Sequence, residues 1–311
     1  MIISASRRTD IPAFYMEWFF NRIKDGYVLV RNPINAHQIS KVRLNKDVVD
    51  CIVFWTKDAS LMSLNLDKLN DYKYYFQYTV TGYGKEIEPY VPSIDKTMDT
   101  FKKISNLIGR NKIIWRYDPI IITDTMTEKW HIENFKMICD KLSLYVRKCV
   151  ISFVDYYANT ERNMKNINYR KINNNEIIDI AYSLNNIAKQ YDLIIETCAE
   201  KIDLSNMGIG HGKCIDDKLI EEIINTHIKI TKDENQREEC GCVASIDIGA
   251  YNTCIHGCKY CYANYYKEQA ENQYRNHDPK SRIISGYISS EDKITDRKIY
   301  SCKLIQKNLF N

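Results

Sequence analysis

Cys254-Ile255-His256-Gly257-Cys258-Lys259-Tyr260-Cys261-Tyr262-Ala263-Asn264 sets three cysteines apart by three residues and then by two. A short loop with those gaps can turn three thiolates toward one point. Thiolates are the ligands that iron–sulfur clusters and zinc prefer, and three of them leave a cubane one iron short or a zinc one position open. Upstream, Cys242 to Gly249 reads as a strand, and Ala263 to Asn272 reads as a helix start. The thiols therefore stand between a strand and a helix.

Ahead of that loop, apolar runs alternate with amphipathic ones. Ile2 to Ser6, Asp50 to Trp55, Tyr74 to Val80, Lys112 to Arg116, Lys148 to Val154 and Leu193 to Glu196 read as buried strands. Helical patterns follow Pro12 and Ser93, and run over Glu128 to Leu142 and Asn175 to Lys189. Counting the strand before the cysteine loop, strands and helices alternate about seven times. That pattern predicts an α/β fold: a single βα barrel, partial or complete, with about six to eight parallel strands and its ligand site at their C-terminal ends. Tyr27 to Pro33 and Gln38 to Leu44 read as a β-ribbon insertion near 27–45. The expected organisation is a barrel over 1–275, with a cysteine-rich region at 198–262, and a polar tail over 276–311.

Charged groups gather at the strand ends. Arg7, Arg8 and Asp10 follow the first strand and Lys57 the second, where they could grip the carboxylate and amine of a small ligand. Arg116, Asp118 and Glu196, at later strand ends, would face a substrate. Four more cysteines lie between the sixth strand and the loop: Cys198, Cys214, Cys240 and Cys242. Four thiolates complete a site for a [4Fe–4S] cluster or for zinc, with His211 as a substitute ligand. Cys51, Cys139 and Cys149 fall on apolar faces and read as core residues.

The 311 residues are 44% hydrophobic, enough for one large core, and 44 Lys plus Arg against 40 Asp plus Glu leave a net +4 that neither demands nor excludes a polyanion. No charged N-terminal segment leads into an apolar run and no stretch of about 18 apolar residues occurs, which predicts a cytoplasmic protein without membrane contact. In a reducing compartment, clustered cysteines bind metal more readily than they form disulfides.

The three-cysteine spacing, with Tyr260 just before the third cysteine, resembles the signature loop of the radical S-adenosylmethionine (SAM) superfamily. That resemblance implies a [4Fe–4S] cluster on Cys254, Cys258 and Cys261 whose fourth iron binds the amino and carboxylate groups of SAM. It also implies Tyr260 near the adenine, an electron donor such as flavodoxin or ferredoxin, and reductive cleavage of SAM to a 5′-deoxyadenosyl radical. Thr56-Lys57, the Glu88-Pro89 loop before a long helix, and Arg116 shortly before Pro119 occur in an order similar to the branch that contains spore photoproduct lyase and DNA-repair-photolyase-like proteins. There the cysteine loop comes first, whereas here it comes last, so the resemblance implies a circularly permuted barrel and a damaged or modified nucleic-acid base as substrate. Ser6 to Asp10 together with Cys240-Gly241-Cys242 and the three-cysteine loop is similar, over nearly the whole chain, to a bacterial family carried as a domain of unknown function. Gln306, Leu309 and Phe310 stand at the Gln-x-x-Leu-Phe spacing, which resembles peptides that dock on the DNA sliding clamp; a Leu-Phe pair covering the barrel's own core is the competing reading. Two other functions fit the cysteines. One is an iron–sulfur electron-transfer or sensing protein without SAM, and the other a zinc-stabilised nucleic-acid-binding module.

Overall fold

A computed structural model describes residues 1–304. In chain order it contains β1 (Ile2–Ala5), α1 (Ile11–Phe14), α2 (Met16–Asp25), β2 (Tyr27–Arg31), β3 (Gln38–Arg43), β4 (Cys51–Thr56), β5 (Tyr74–Thr79), α3 (Ile94–Ile108), β6 (Ile113–Ile120), α4 (Glu128–Leu142), β7 (Lys148–Phe153), α5 (Ala158–Asn163), α6 (Asn174–Gln190), β8 (Ile194–Thr197), β9 (Gly210–His211), α7 (Asp217–Ile224), β10 (Ile246–Asp247), α8 (Lys267–Arg275) and β11 (Lys293–Asp296). Local chemistry sets the helix starts. The Asp10 carboxylate accepts from Ala13 N at the head of α1, Thr127 caps α4, Asn173 and Glu176 form a reciprocal capping box at α6, and Asp216 caps α7.

Eight strands form one parallel sheet in the order β10-β1-β4-β5-β6-β7-β8-β9. The period-2 alternation of each strand sorts its side chains. Ile3, Ile52, Phe54, Phe76, Tyr78, Ile113 and Trp115 point to the outer face, where they meet the apolar stripes of the helices in the main core. Ile2, Cys51, Val53, Tyr75, Ile114 and Val150 point the other way, onto a second core closed by Ile215 and Ile220 at α7. Farther along the same inner face, Gln77, Arg116 and Asp118 succeed these apolar residues, so polarity rises toward the C-terminal strand ends.

Among the described residues no ladder joins β9 to β10, so the expected parallel sheet is present and its closure into a complete barrel is not found. Other expectations differ in detail. The strand expected over Cys242 to Gly249 is only Ile246–Asp247, because Val243 N is drawn to Ile215 O (3.2 Å) and Val243 bridges Lys232 instead of continuing along β1. The helix expected from Ala263 starts at Lys267, because Asn252 N donates to Ala263 O and Asn252 Oδ1 accepts from Tyr265 N, holding that stretch on the cysteine loop. The stretch from 276 packs on the body rather than trailing from it. Trp18 Nε1 donates to Ser281 O (2.9 Å), β11 pairs in parallel with β3 beside the β2–β3 ribbon, and Ser301 Oγ and Cys302 N both donate to Asp50 (2.6 Å each). Asp50 also pairs with the Met1 ammonium, so both ends of the described chain meet at one carboxylate. Gln306, Leu309 and Phe310, with the clamp-like spacing, lie outside the described residues. Within them, no helix is long and apolar enough to cross a membrane.

Candidate metal and cofactor site

A cavity of about 430 Å³ opens at the C-terminal ends of the strands. Its walls come from the segments after β1, β4, β6, β7 and β8 and from the loop after β10, the placement that parallel α/β sheets use for ligands. Arg7, Arg8, Asp10, Lys57, Arg116, Asp118, Tyr260 and all seven cysteines at 198, 214, 240, 242, 254, 258 and 261 line it. Glu196 does not. It faces the same side of the sheet, but lower, where it pairs with Lys148 at 2.8 Å, and the next inward residue, Cys198, is the one that reaches the cavity. The exposed His211 also stays outside.

The three-cysteine loop is pinned from several sides. Asp10 Oδ1 holds the α1 cap, while its Oδ2 accepts from Lys57 N (2.8 Å) and lies 2.9 Å from His256 Nε2. Asp10 thus joins the ends of β1 and β4 to the loop, with both of its oxygens already engaged within the protein. Tyr90 N donates to His256 O, and Lys259 N to Ile87 O, so the 84–91 segment backs the loop. Glu88, 3% exposed, gathers Lys57 Nζ at 2.7 Å, Thr81 Oγ1 at 3.1 Å and the Tyr260 hydroxyl. Asn159 Nδ2 donates to Cys261 O and Tyr262 O, and Asn264 Nδ2 to Cys254 O. Gly257 adopts φ +70°, and a Cβ there would sit 3.0 Å from the Tyr90 ring.

All three cysteines line the cavity. Burial pushes all three thiols up. The Lys57 ammonium opposes this at Cys258 and Cys261, and backbone N–H groups oppose it at Cys254 and Cys261. A metal that replaces the protons gains those same donors and that cation. His256 Nδ1 and Asn264 Oδ1 are buried beside the loop without a partner. Three thiols, backbone amides and one ammonium are the donor chemistry that an iron–sulfur cluster takes, although among the described residues no three ligands close on one metal position.

The arginines divide. Arg116 is taken up within the protein: it pairs with Asp118, and its Nη1 lies 3.2 Å from Gln77 Oε1 and 2.9 Å from Cys214 Sγ. Asp118, which also accepts from Ser152 Oγ, keeps partial exposure to the cavity. Arg7 stacks over Trp55 at 5.5 Å and stands 3.8 Å from Asp233, and Arg8 stacks over Tyr251 at 5.2 Å. Two acidic residues escaped sequence reasoning as site builders. Glu88 was noted only within a family motif, and Asp247 not at all, although Asp247 accepts from Ser4 Oγ, Ser6 Oγ, Arg7 N and Gly249 N and so shapes the turn after β1. Its one legible signal was a carboxylate in the apolar stretch just ahead of the cysteine loop.

Residues 2–263 match the profile of a family described as a domain of unknown function, DUF1848. The chain belongs to that family. The DUF1848 region contains all seven cavity cysteines and ends inside the loop-to-α8 connection, leaving α8 and β11 beyond it. No curated protein matches. Among solved structures, a Bacteroides thetaiotaomicron protein provisionally described as an alpha-L-fucosidase is similar at 13% identity over 75% of this chain and 85% of its own, with a TM-score of 0.27.

Proposed function

We propose that this chain is a radical SAM enzyme. The observation that carries the reading is that Cys254, Cys258 and Cys261 all line one cavity at the C-terminal strand ends, beside a buried lysine and two arginines. A [4Fe–4S] cluster on those thiols would supply the electron that cleaves SAM reductively and starts radical chemistry. The chain's own residues would bind and orient. Arg7 and Arg8, which keep cationic atoms toward the cavity, would meet the SAM carboxylate. Tyr260, fixed through Glu88, would present its ring to the adenine. Asp118 would face the substrate, with Arg116 and Ser152 holding its carboxylate in place. Asp10 and His256 would act at one remove, holding the loop.

The test is anaerobic. The chain is loaded with iron and sulfide, then given dithionite and SAM, and 5′-deoxyadenosine is measured by liquid chromatography. Its formation, abolished in the Cys258→Ala variant, is expected. A fully loaded cluster that yields none would overturn the reading in favour of electron transfer or sensing.

A further inference from the structure

Four thiols meet where the segment after β9 touches the segment before β10. Cys198 follows β8, Cys214 lies just past β9, and Cys240 and Cys242 precede β10. Cys198 Sγ is 3.3 Å from Cys214 Sγ, and Cys240 and Cys242 belong to the same buried cluster and line the same cavity. Ile215 N donates to Cys242 Sγ at 3.3 Å, and Val243 N to Ile215 O at 3.2 Å. These contacts stand at the place where the sheet lacks a closing ladder.

Charge distinguishes this cluster from a core of plain thiols. Arg116 Nη1 points at Cys214 Sγ from 2.9 Å, and Arg7 Nη2 is buried nearby without any partner. Neutral thiols are weak acceptors, whereas thiolates on a metal would give Arg116 Nη1 and the unpartnered Arg7 Nη2 an anionic neighbour in addition to Asp118 and Asp233. Four thiolates around a divalent metal carry roughly two negative charges, and Arg116, 2.9 Å from Cys214 Sγ while also paired with Asp118, would offset part of them. Cys198 and Cys214 are in contact as they stand, and among the described residues no three ligands already close on one point. Rotation of the thiols about χ1 is the motion that would gather them.

We propose that Cys198, Cys214, Cys240 and Cys242 ligate a second metal centre, zinc or an iron–sulfur cluster, that staples the β9 side of the open sheet to the β10 side. This site is independent of SAM chemistry. It would stand even if Cys254, Cys258 and Cys261 held no cluster.

The experiment uses the full chain, purified without oxygen, with Cys254→Ser, Cys258→Ser and Cys261→Ser combined so that the loop contributes no metal. That background variant is expected to retain either about one zinc or about four irons with matching acid-labile sulfide, the two arms distinguishing the metals. Adding Cys198→Ser and Cys214→Ser is expected to lower that content at least tenfold and to speed amide exchange in β9 and β10. Should the background variant fail to fold, zinc and iron X-ray absorption on the otherwise native chain replaces it. The same double substitution should then remove an all-sulfur shell and leave the remaining metal in place. A folded background variant without zinc or iron, metal unchanged by the double substitution, or a Cys198–Cys214 disulfide in a metal-free chain would each overturn the proposal. Absence of 5′-deoxyadenosine formation by the otherwise native, iron-loaded chain with this metal intact would count against the SAM reading alone.

Discussion

Glu88→Gln is the sharpest probe of how the cysteine loop is held. The pair it breaks is buried on both sides, with the Glu88 side chain 3% and the Lys57 side chain 14% exposed at 2.7 Å. Burial pulls the Lys57 ammonium toward deprotonation, and the Glu88 carboxylate more than offsets this, so its pKa is held above the ordinary value. The glutamine keeps a carbonyl for Tyr260 and Thr81 and removes only the charge. Breaking a buried pair by neutralising one partner costs about 3–5 kcal/mol, and the residual exposure of Lys57 puts this case near the lower figure. That is a large share of a stability on the order of 5–15 kcal/mol, yet short of unfolding. Urea denaturation of the metal-free, reduced chain at pH 7 should therefore show Glu88→Gln about 3 kcal/mol less stable. Lys57→Met added to it should recover at least about 2 kcal/mol as coupling energy, because the orphaned cation is gone. A single variant within about 0.5 kcal/mol of wild type, or a double variant equal to the sum of the singles, would refute the account.

Replacing Cys254, Cys258 or Cys261 by alanine should remove about four irons per chain while far-ultraviolet circular dichroism stays native, because the sheet core is separate from the loop; full iron in all three variants would sink the assignment. Gly257→Ala should cost about 1–2 kcal/mol and reduce iron loading, since the left-handed backbone and the nearby Tyr90 ring both resist a Cβ; unchanged stability and loading would argue against the loop geometry. His131 is fully buried between the Tyr117 hydroxyl and Ile121 O, and burial lowers its pKa to about 4. Its neutral form is favoured in the fold, so its contribution is complete above the unfolded value of about 6.5 and lost as pH falls toward 4. Roughly 2 kcal/mol should be gone by pH 5, and urea midpoints for His131→Gln should show a correspondingly flatter pH profile.

The parallel strands and the inward placement of Arg116 and Asp118 were readable from the sequence, because period-2 alternation is a local property that each strand carries on its own. The same holds for the three-cysteine loop, whose ligand gaps lie within eight residues. Sequence also placed charged groups at the right rim, though not their roles. Asp10 reads as a ligand-gripping carboxylate until its three bonds to Ala13, Lys57 and His256 are seen to consume it. Glu196 reads as a strand-end acid like Asp118 until it is found lower on the inner face against Lys148.

What only the tertiary structure decided are the meetings between distant segments. Glu88 joins Lys57, Thr81 and Tyr260, and Asp247 binds the turn after β1. Cys198, Cys214, Cys240 and Cys242 come together beside Arg7 and Arg116. Val243 N meets Ile215 O, joining the segment after β9 to the segment before β10, while among the described residues no ladder joins those two strands. A residue's type and spacing determine which face of its own element it occupies. Its partners depend on how far each strand is offset from its neighbours and on which loop folds over it, and those are set by the packing of the whole chain.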